Sequence, residues 1–334
     1  MPTGSFGSPA PPTAPSSLVD PRGAIGWARV PHEHFGWPLR PFRHPHVIRA
    51  TFGEPRGILD LGLSGVKLSG AVRMRYRNHA NKIAPLGRRV IHTGIDIVAR
   101  DGTAVYAVQS GVALRRGQGY ETHLSIGDFE YWHLQGAVPS GTKVTAFRTV
   151  IGRVYPGQHH LHLTRLTRAG DQAMNPLVQG GITPYRDSAP PRIGALIAFD
   201  ATGARVPLWA LKGPVVLATN TYDVQSLGRT HTGVFRLGYT LFPRRSRRPV
   251  VGPVPVVEFD ALPAPGVGDV LYTPSSTRHA FATRFWIRLT DRSPSADGFL
   301  HTEDLSPGLY RLVVQAADAK GNRAKKTFTL RVRR

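Results

Sequence analysis

Val, Thr, Tyr and Phe recur between glycines and prolines along most of this chain, and no long stretch repeats its apolar residues at helical spacing. Alternation of period two, bounded by glycine turns, reads as strand. The pattern therefore predicts a mostly β protein built from antiparallel sheets. Strands are expected in "VKLSGAVRMRY" (66–76), "TAVYAVQSGVALRR" (103–116), "THLSIGDFEYWHL" (122–134), "GTKVTAFRTVIGRV" (141–154) and "HHLHLTRL" (159–166). Proline and glycine in "GGITPYRDSAPPRIG" (180–194) interrupt any strand, which places a domain boundary there. The expected organisation is a flexible Pro/Ser-rich leader over 1–30, a first domain over 31–186 and a second over 190–334. The second ends in two alternating strands around an Asn/Gly-containing turn, a pattern that suggests an immunoglobulin-like β-sandwich. In "TRFWIRLTD" (283–291), Phe285, Ile287 and Leu289 form a core face, while Trp286 and Arg288 form the opposite one. No site is expected in that half.

Composition refines this picture at three points. A length of 334 residues with 41% hydrophobic content suits about two domains of roughly 150 residues each. Forty-three Lys and Arg against 21 Asp and Glu give a net charge of +22, which is either a solvated basic surface or one that favours polyanions: nucleic acid, anionic lipid or acidic cell-wall polymers. The only dense run is "PRRSRRP" (243–249), and without a recognised binding motif no specific nucleic-acid partner is expected. There are no cysteines, so disulfides, thiol catalysis and Cys-ligated zinc are excluded, leaving histidines and carboxylates as ligands. No apolar run is long enough to span a bilayer, and the N-terminal stretch shows no secretory h-region.

The chemistry concentrates in "RRVIHTGIDIV" (88–98). If this is strand, residues 92, 94 and 96 share a face, so His92 and Asp96 point the same way with Gly94 leaving space between them. In "HHLHL", His160 and His162 share a face and Leu161 turns away. His92, Asp96 and one of the later histidines would make a His₂Asp set, and three protein ligands with an open position are how catalytic zinc is held. His133, in "YWHL", is expected on a third strand able to pair with these. His123, His159, His231, His279 and His301 read as surface or hydrogen-bonded residues.

"HTGIDIVARDGTAVYAVQSGVA", then "YWHL", then "IGRV…HHLHL" resembles the lysostaphin-type (LytM-like) zinc metallopeptidases, over roughly residues 47–166. The resemblance implies a small antiparallel sheet with zinc on its concave face, held by His92, Asp96 and His162. It implies that His160 and His133 lie near the attacking water, one as base, and that the substrate is the peptide cross-link of peptidoglycan. An extracytoplasmic or secreted location would follow from that substrate. Degenerate family members act as silent wall-binding or regulatory scaffolds, but all five residues are retained here. Three departures stand out: Thr164 and Arg165 replace an acidic residue after the His-x-His motif, the loop before it is short, and an Arg/Gly-rich insert occupies 58–88.

Overall fold

The computed structural model describes residues 35–56, 90–167, 170, 172–178, 180–261, 271–273, 276, 285–290 and 297–334. The leader over 1–30, the strand expected at 66–76, the insert at 58–88 and His279 lie outside the described residues. Within them the protein is mostly β, in several antiparallel sheets, with two three-residue 3-10 turns at Gly119–Glu121 and Thr302–Asp304.

The largest sheet of the first half has seven strands. Its order runs Ile48–Ala50, Ile95–Val98, His160–Leu166, Phe129–Trp132, His123–Ile126, Leu114–Arg116, with Ala173–Met174 also paired to His160–Leu166. Alternation decides what each face carries. Ile95, Ile97, Leu161, Leu163, Phe129 and Tyr131 are fully buried on one side, each contributing roughly 1.5–3 kcal/mol of apolar burial. Asp96, His160, His162 and Trp132 therefore project from the other. Directly opposed residues in an antiparallel pair point to the same side, and the register sets His162 against Asp96 on one neighbour and against Trp132 on the other. A three-stranded sheet of Leu134–Gln135, Val150–Val154 and Ala104–Tyr106 packs Leu134, Ile151, Val154 and Val105 into the same core.

Some expected strands are shorter than the pattern suggested. The stretch 103–116 divides into Ala104–Tyr106, Gly111–Val112 and Leu114–Arg116, and 141–154 into Lys143–Val144 and Val150–Val154. His92 is not on a strand with Asp96: Val90–Ile91 ends before it and Ile95–Val98 begins after Gly94. His133 is not on a strand either. It sits between Phe129–Trp132 and Leu134–Gln135 with φ at 66°, so the chain swivels there and pairing passes to a different sheet.

The second half contains a six-stranded sheet centred on Pro214–Val224 and a four-stranded sheet in the order Val251–Glu258, Arg236–Pro243, Gly308–Ala317, Arg323–Val332. The last two strands are the hairpin expected at the C-terminus, in register from Gly308–Val332 to Ala317–Arg323. Phe285, Ile287 and Leu289 are buried while Trp286 and Arg288 are half-buried, as the alternation predicts. The connecting segment 184–190 carries no strand.

Buried hydrogen bonds cross between the halves. Glu54, fully buried, accepts from the Thr51 and Gly233 backbone N–H groups through Oε1 at 2.6 and 3.1 Å. The Tyr272 hydroxyl donates to the Gly53 carbonyl at 2.7 Å, and Asn175 Nδ2 donates to the Phe259 carbonyl at 2.8 Å.

Candidate metal centre

Three side chains from two directions of approach converge on one point. His92 Nε2 lies 2.8 Å from His162 Nδ1 and 3.0 Å from Asp96 Oδ1, and His162 Nδ1 lies 3.0 Å from the same oxygen. His92 and Asp96 are 5% and 3% exposed, so little water reaches these atoms.

Each imidazole is oriented from behind. The Nδ1–H of His92 donates to the Thr51 carbonyl at 2.8 Å, which leaves Nε2 as a lone pair. His162 Nε2 pairs with the Thr164 hydroxyl at 3.0 Å, which turns Nδ1 towards the cluster. Such outer partners fix ring orientation and tautomer at metal sites. The main chain around His92 is pinned as well: its N–H donates to the Glu54 carbonyl at 2.8 Å and its carbonyl accepts from Gly53 at 3.0 Å.

Two imidazole lone pairs and a carboxylate oxygen thus face one another at hydrogen-bond distances. Burial pushes His92 down to about 3, and the Arg56 guanidinium adds to the effect. Burial works against the Asp96 carboxylate, yet attraction to the neighbouring His92 and His160 imidazoles holds it well below the usual range. A proton on one nitrogen satisfies a single pair of these atoms. A divalent cation satisfies all three, so the buried His92, Asp96 and His162 can hold a metal ion, and their side-chain chemistry fits one.

Gly94 has a second purpose beyond the one its position in the sequence suggested. A Cβ there would lie 2.2 Å from the Leu163 carbonyl oxygen and 2.9 Å from His162 Nε2. The glycine lets the bend between His92 and Asp96 cross the His160–Leu166 strand at backbone contact, and it also leaves room for the His162 ring.

His160 and His133 flank the same point. His160 donates Nδ1–H to the Gln158 carbonyl at 2.5 Å, and its Nε2 lies 3.6 Å from Asp96 Oδ1. His133 donates Nδ1–H to the Tyr120 carbonyl at 2.8 Å, and its ring centroid lies 4.9 Å from that of His160 and 6.2 Å from that of His162. Burial pushes His133 down to about 3 and His160 down to about 4, so both rings are neutral, each with an unprotonated Nε2. All five residues singled out from the sequence are therefore brought together.

The other described histidines lie elsewhere in bonding terms. His123 stacks on Trp132 at 3.7 Å and bonds the Glu121 carbonyl. His159 pairs with Asp101, His231 stacks on Tyr222, and His301 sits between Asp297 and Glu303. Arg56 was not anticipated. Its Nη2 lies 3.1 Å from Asp96 Oδ2, and its Nη1 lies 3.5 Å from Glu54 Oε2. It occupies the Asp96 oxygen that faces away from the imidazoles. Arg49 Nε approaches the same oxygen at 3.7 Å.

No family model matches this chain, and no curated protein matches it.

Proposed function

We propose that the protein is a zinc-dependent endopeptidase that hydrolyses peptide cross-links of bacterial peptidoglycan. The observation that carries this reading is the buried triangle of His92 Nε2, Asp96 Oδ1 and His162 Nδ1, with sides of 2.8–3.0 Å and two further neutral imidazoles beside it. Neutral nitrogen ligands with one carboxylate suit zinc, and the retained His-x-His and Tyr-x-His-Leu segments suit the lysostaphin-type resemblance. Zinc bound there supplies Lewis acidity that activates water at neutral pH and offsets charge on a peptide carbonyl.

The chain's own residues supply the rest. Asp96, paired behind with Arg56, keeps one oxygen directed at the cation. His160 and His133 have their Nδ1–H groups committed to backbone carbonyls, so each presents Nε2 to the reacting region. One of these atoms accepts the proton of the attacking water and later returns it to the leaving amine; the other stays a neutral acceptor that helps to orient the water. Trp132 packs its edge against His162, with centroids 6.3 Å apart, and limits how far that ring can turn.

A wall substrate implies an extracytoplasmic or secreted protein. No helix among the described residues is long and apolar enough to cross a membrane. The net charge of +22 suits anionic wall polymers as a second partner, with the exposed arginines of 243–249 as their contact. The second half, two antiparallel sheets sharing one core, fits an immunoglobulin-like spacer or adhesion unit.

The test is elemental analysis of the purified chain together with turbidity clearance of purified peptidoglycan. The expected result is about one zinc per chain, with clearance abolished by chelator and restored by zinc. Absence of zinc after supplementation overturns the reading. Stoichiometric zinc without muropeptide cleavage replaces it with a wall-binding or hydrolase-regulating scaffold.

A further inference from the structure

A second group of oxygen ligands lies at the junction of the two halves. Asp187 is on the connecting segment, Asp223 is near the end of Pro214–Val224, and Asp318 follows Gly308–Ala317. One carboxylate oxygen from each falls within 4.8 Å of the other two. Asp223 and Asp318 are 1% and 2% exposed.

Most of the surrounding donors are already committed. Asp187 Oδ1 accepts from the N–H groups of Ala189 and Ser226 and from the Ser226 hydroxyl. Asp318 accepts from the N–H groups of Lys320 and Asn322 and from Asn322 Nδ2. Asp223 Oδ2 takes Gln225 Nε2 at 2.7 Å. Asp223 Oδ1 is buried and accepts from no N–H or O–H of the described residues; its side chain has the Asp187 carboxyl as its acidic neighbour. A buried carboxylate oxygen without a donor or a counter-charge is strongly disfavoured. Beside it lies a cavity of about 10 Å³ lined by Asp223, Gln225, Tyr185 and Asp318 among others, about the room one water-sized occupant needs.

We propose that Asp187, Asp223 and Asp318 form a calcium site, separate from the His/Asp centre. Every nearby ligand atom is an oxygen, including Gln225 Oε1, which accepts from the Tyr185 hydroxyl at 2.8 Å. That set selects a hard cation, and a cavity of about 10 Å³ lined by side-chain oxygens suits calcium, which accepts an all-protein cage, better than magnesium, which keeps several of its waters. Burial, with the mutual repulsion of the carboxylates, pushes both Asp223 and Asp318 upward, which is the environment a cation relieves. Bound calcium ties the connecting segment to the Pro214–Val224 strand and to the turn of the last hairpin.

The test uses the full chain with its His/Asp centre loaded with zinc, dialysed against calcium or magnesium. Calcium should bind at about one ion per chain and raise Tm by about 5–10 °C near hundredfold saturation, with a smaller rise in magnesium. Asp223→Asn, which copies the neutral acid in shape, should fold, keep its zinc and lose both the bound calcium and the calcium-dependent shift. Wild-type protein that binds no calcium and shows no shift overturns the proposal, as does Asp223→Asn retaining calcium. Those outcomes leave Asp223 as a protonated acid.

Discussion

His162 and Asp96 face each other across neighbouring antiparallel strands, in direct register, with Nδ1 3.0 Å from Oδ1. Because both project from the face opposite Leu161, Leu163, Ile95 and Ile97, the packing of the core fixes the ligand geometry. A one-residue slip of either strand would send a ligand into the apolar interior.

His92→Ala, Asp96→Asn and His162→Ala should each reduce bound zinc from about one per chain to near none. Elemental analysis after dialysis checks this. Circular dichroism should show the strand signal retained, since none of the three side chains belongs to the apolar face.

His160→Ala and His133→Ala should leave zinc in place and slow turnover about 10²–10⁴-fold, the usual contribution of a positioned acid or base. Parallel measurement of metal content and muropeptide release separates these two from the ligands. If either variant loses its zinc, that imidazole is a ligand.

Thr164→Val removes the partner of His162 Nε2 while keeping the side-chain shape. Loss of an outer-shell partner of this kind lowers metal affinity about 10–100-fold. Competition with a chromogenic chelator reads the change directly.

Gly94→Ala places a methyl 2.2 Å from the Leu163 carbonyl oxygen, a backbone atom that cannot rotate away. Destabilisation of about 1–3 kcal/mol is expected, read from urea midpoints at unchanged m-value. Weakened metal binding should accompany it, since the same bend carries His92.

In calcium-free buffer, the stability that Asp223 and Asp318 contribute should fall as pH rises. Burial beside Asp187 and Asp318 puts Asp223 up at about 9 and Asp318 at about 6, with Tyr185 and, over its ring, Lys320 as the other titratable neighbours. Between the unfolded aspartate value of about 3.9 and these folded values, the native state binds more protons than the unfolded one. The stabilisation is therefore full at low pH and lost as pH rises through the folded values. From about pH 5 to about pH 8 the urea midpoint of the parent should fall relative to that of Asp223→Asn, which shares every other titrating group.

Much of the site is legible in the sequence because strand alternation is local. The sharing of a face by His160 and His162, with Leu161 turned inward, needs only period two. Gly94 was legible as room on the ligand side, but its tighter constraint comes from Leu163, which is close only once the sheet has formed. Arg56, Glu54 and Thr51 gave no signal for a related reason. Arg56 meets Asp96 from 40 positions away, and neither spacing nor the scattered positive charge of the chain shows which arginine does so. His133 reaches the centre from a left-handed turn, a conformation that no alternation pattern announces.

Glu54 binds the Thr51 and Gly233 amides with the same oxygen, so the Thr51–Arg56 turn that steadies His92 and Asp96 leans on a residue of the far half. A protein cut at residue 186 would keep all five side chains of the candidate centre and lose the abutment behind two of them. The C-terminal half is thereby a structural wall of the metal centre, and its strand ends are part of what keeps the ligands in aim.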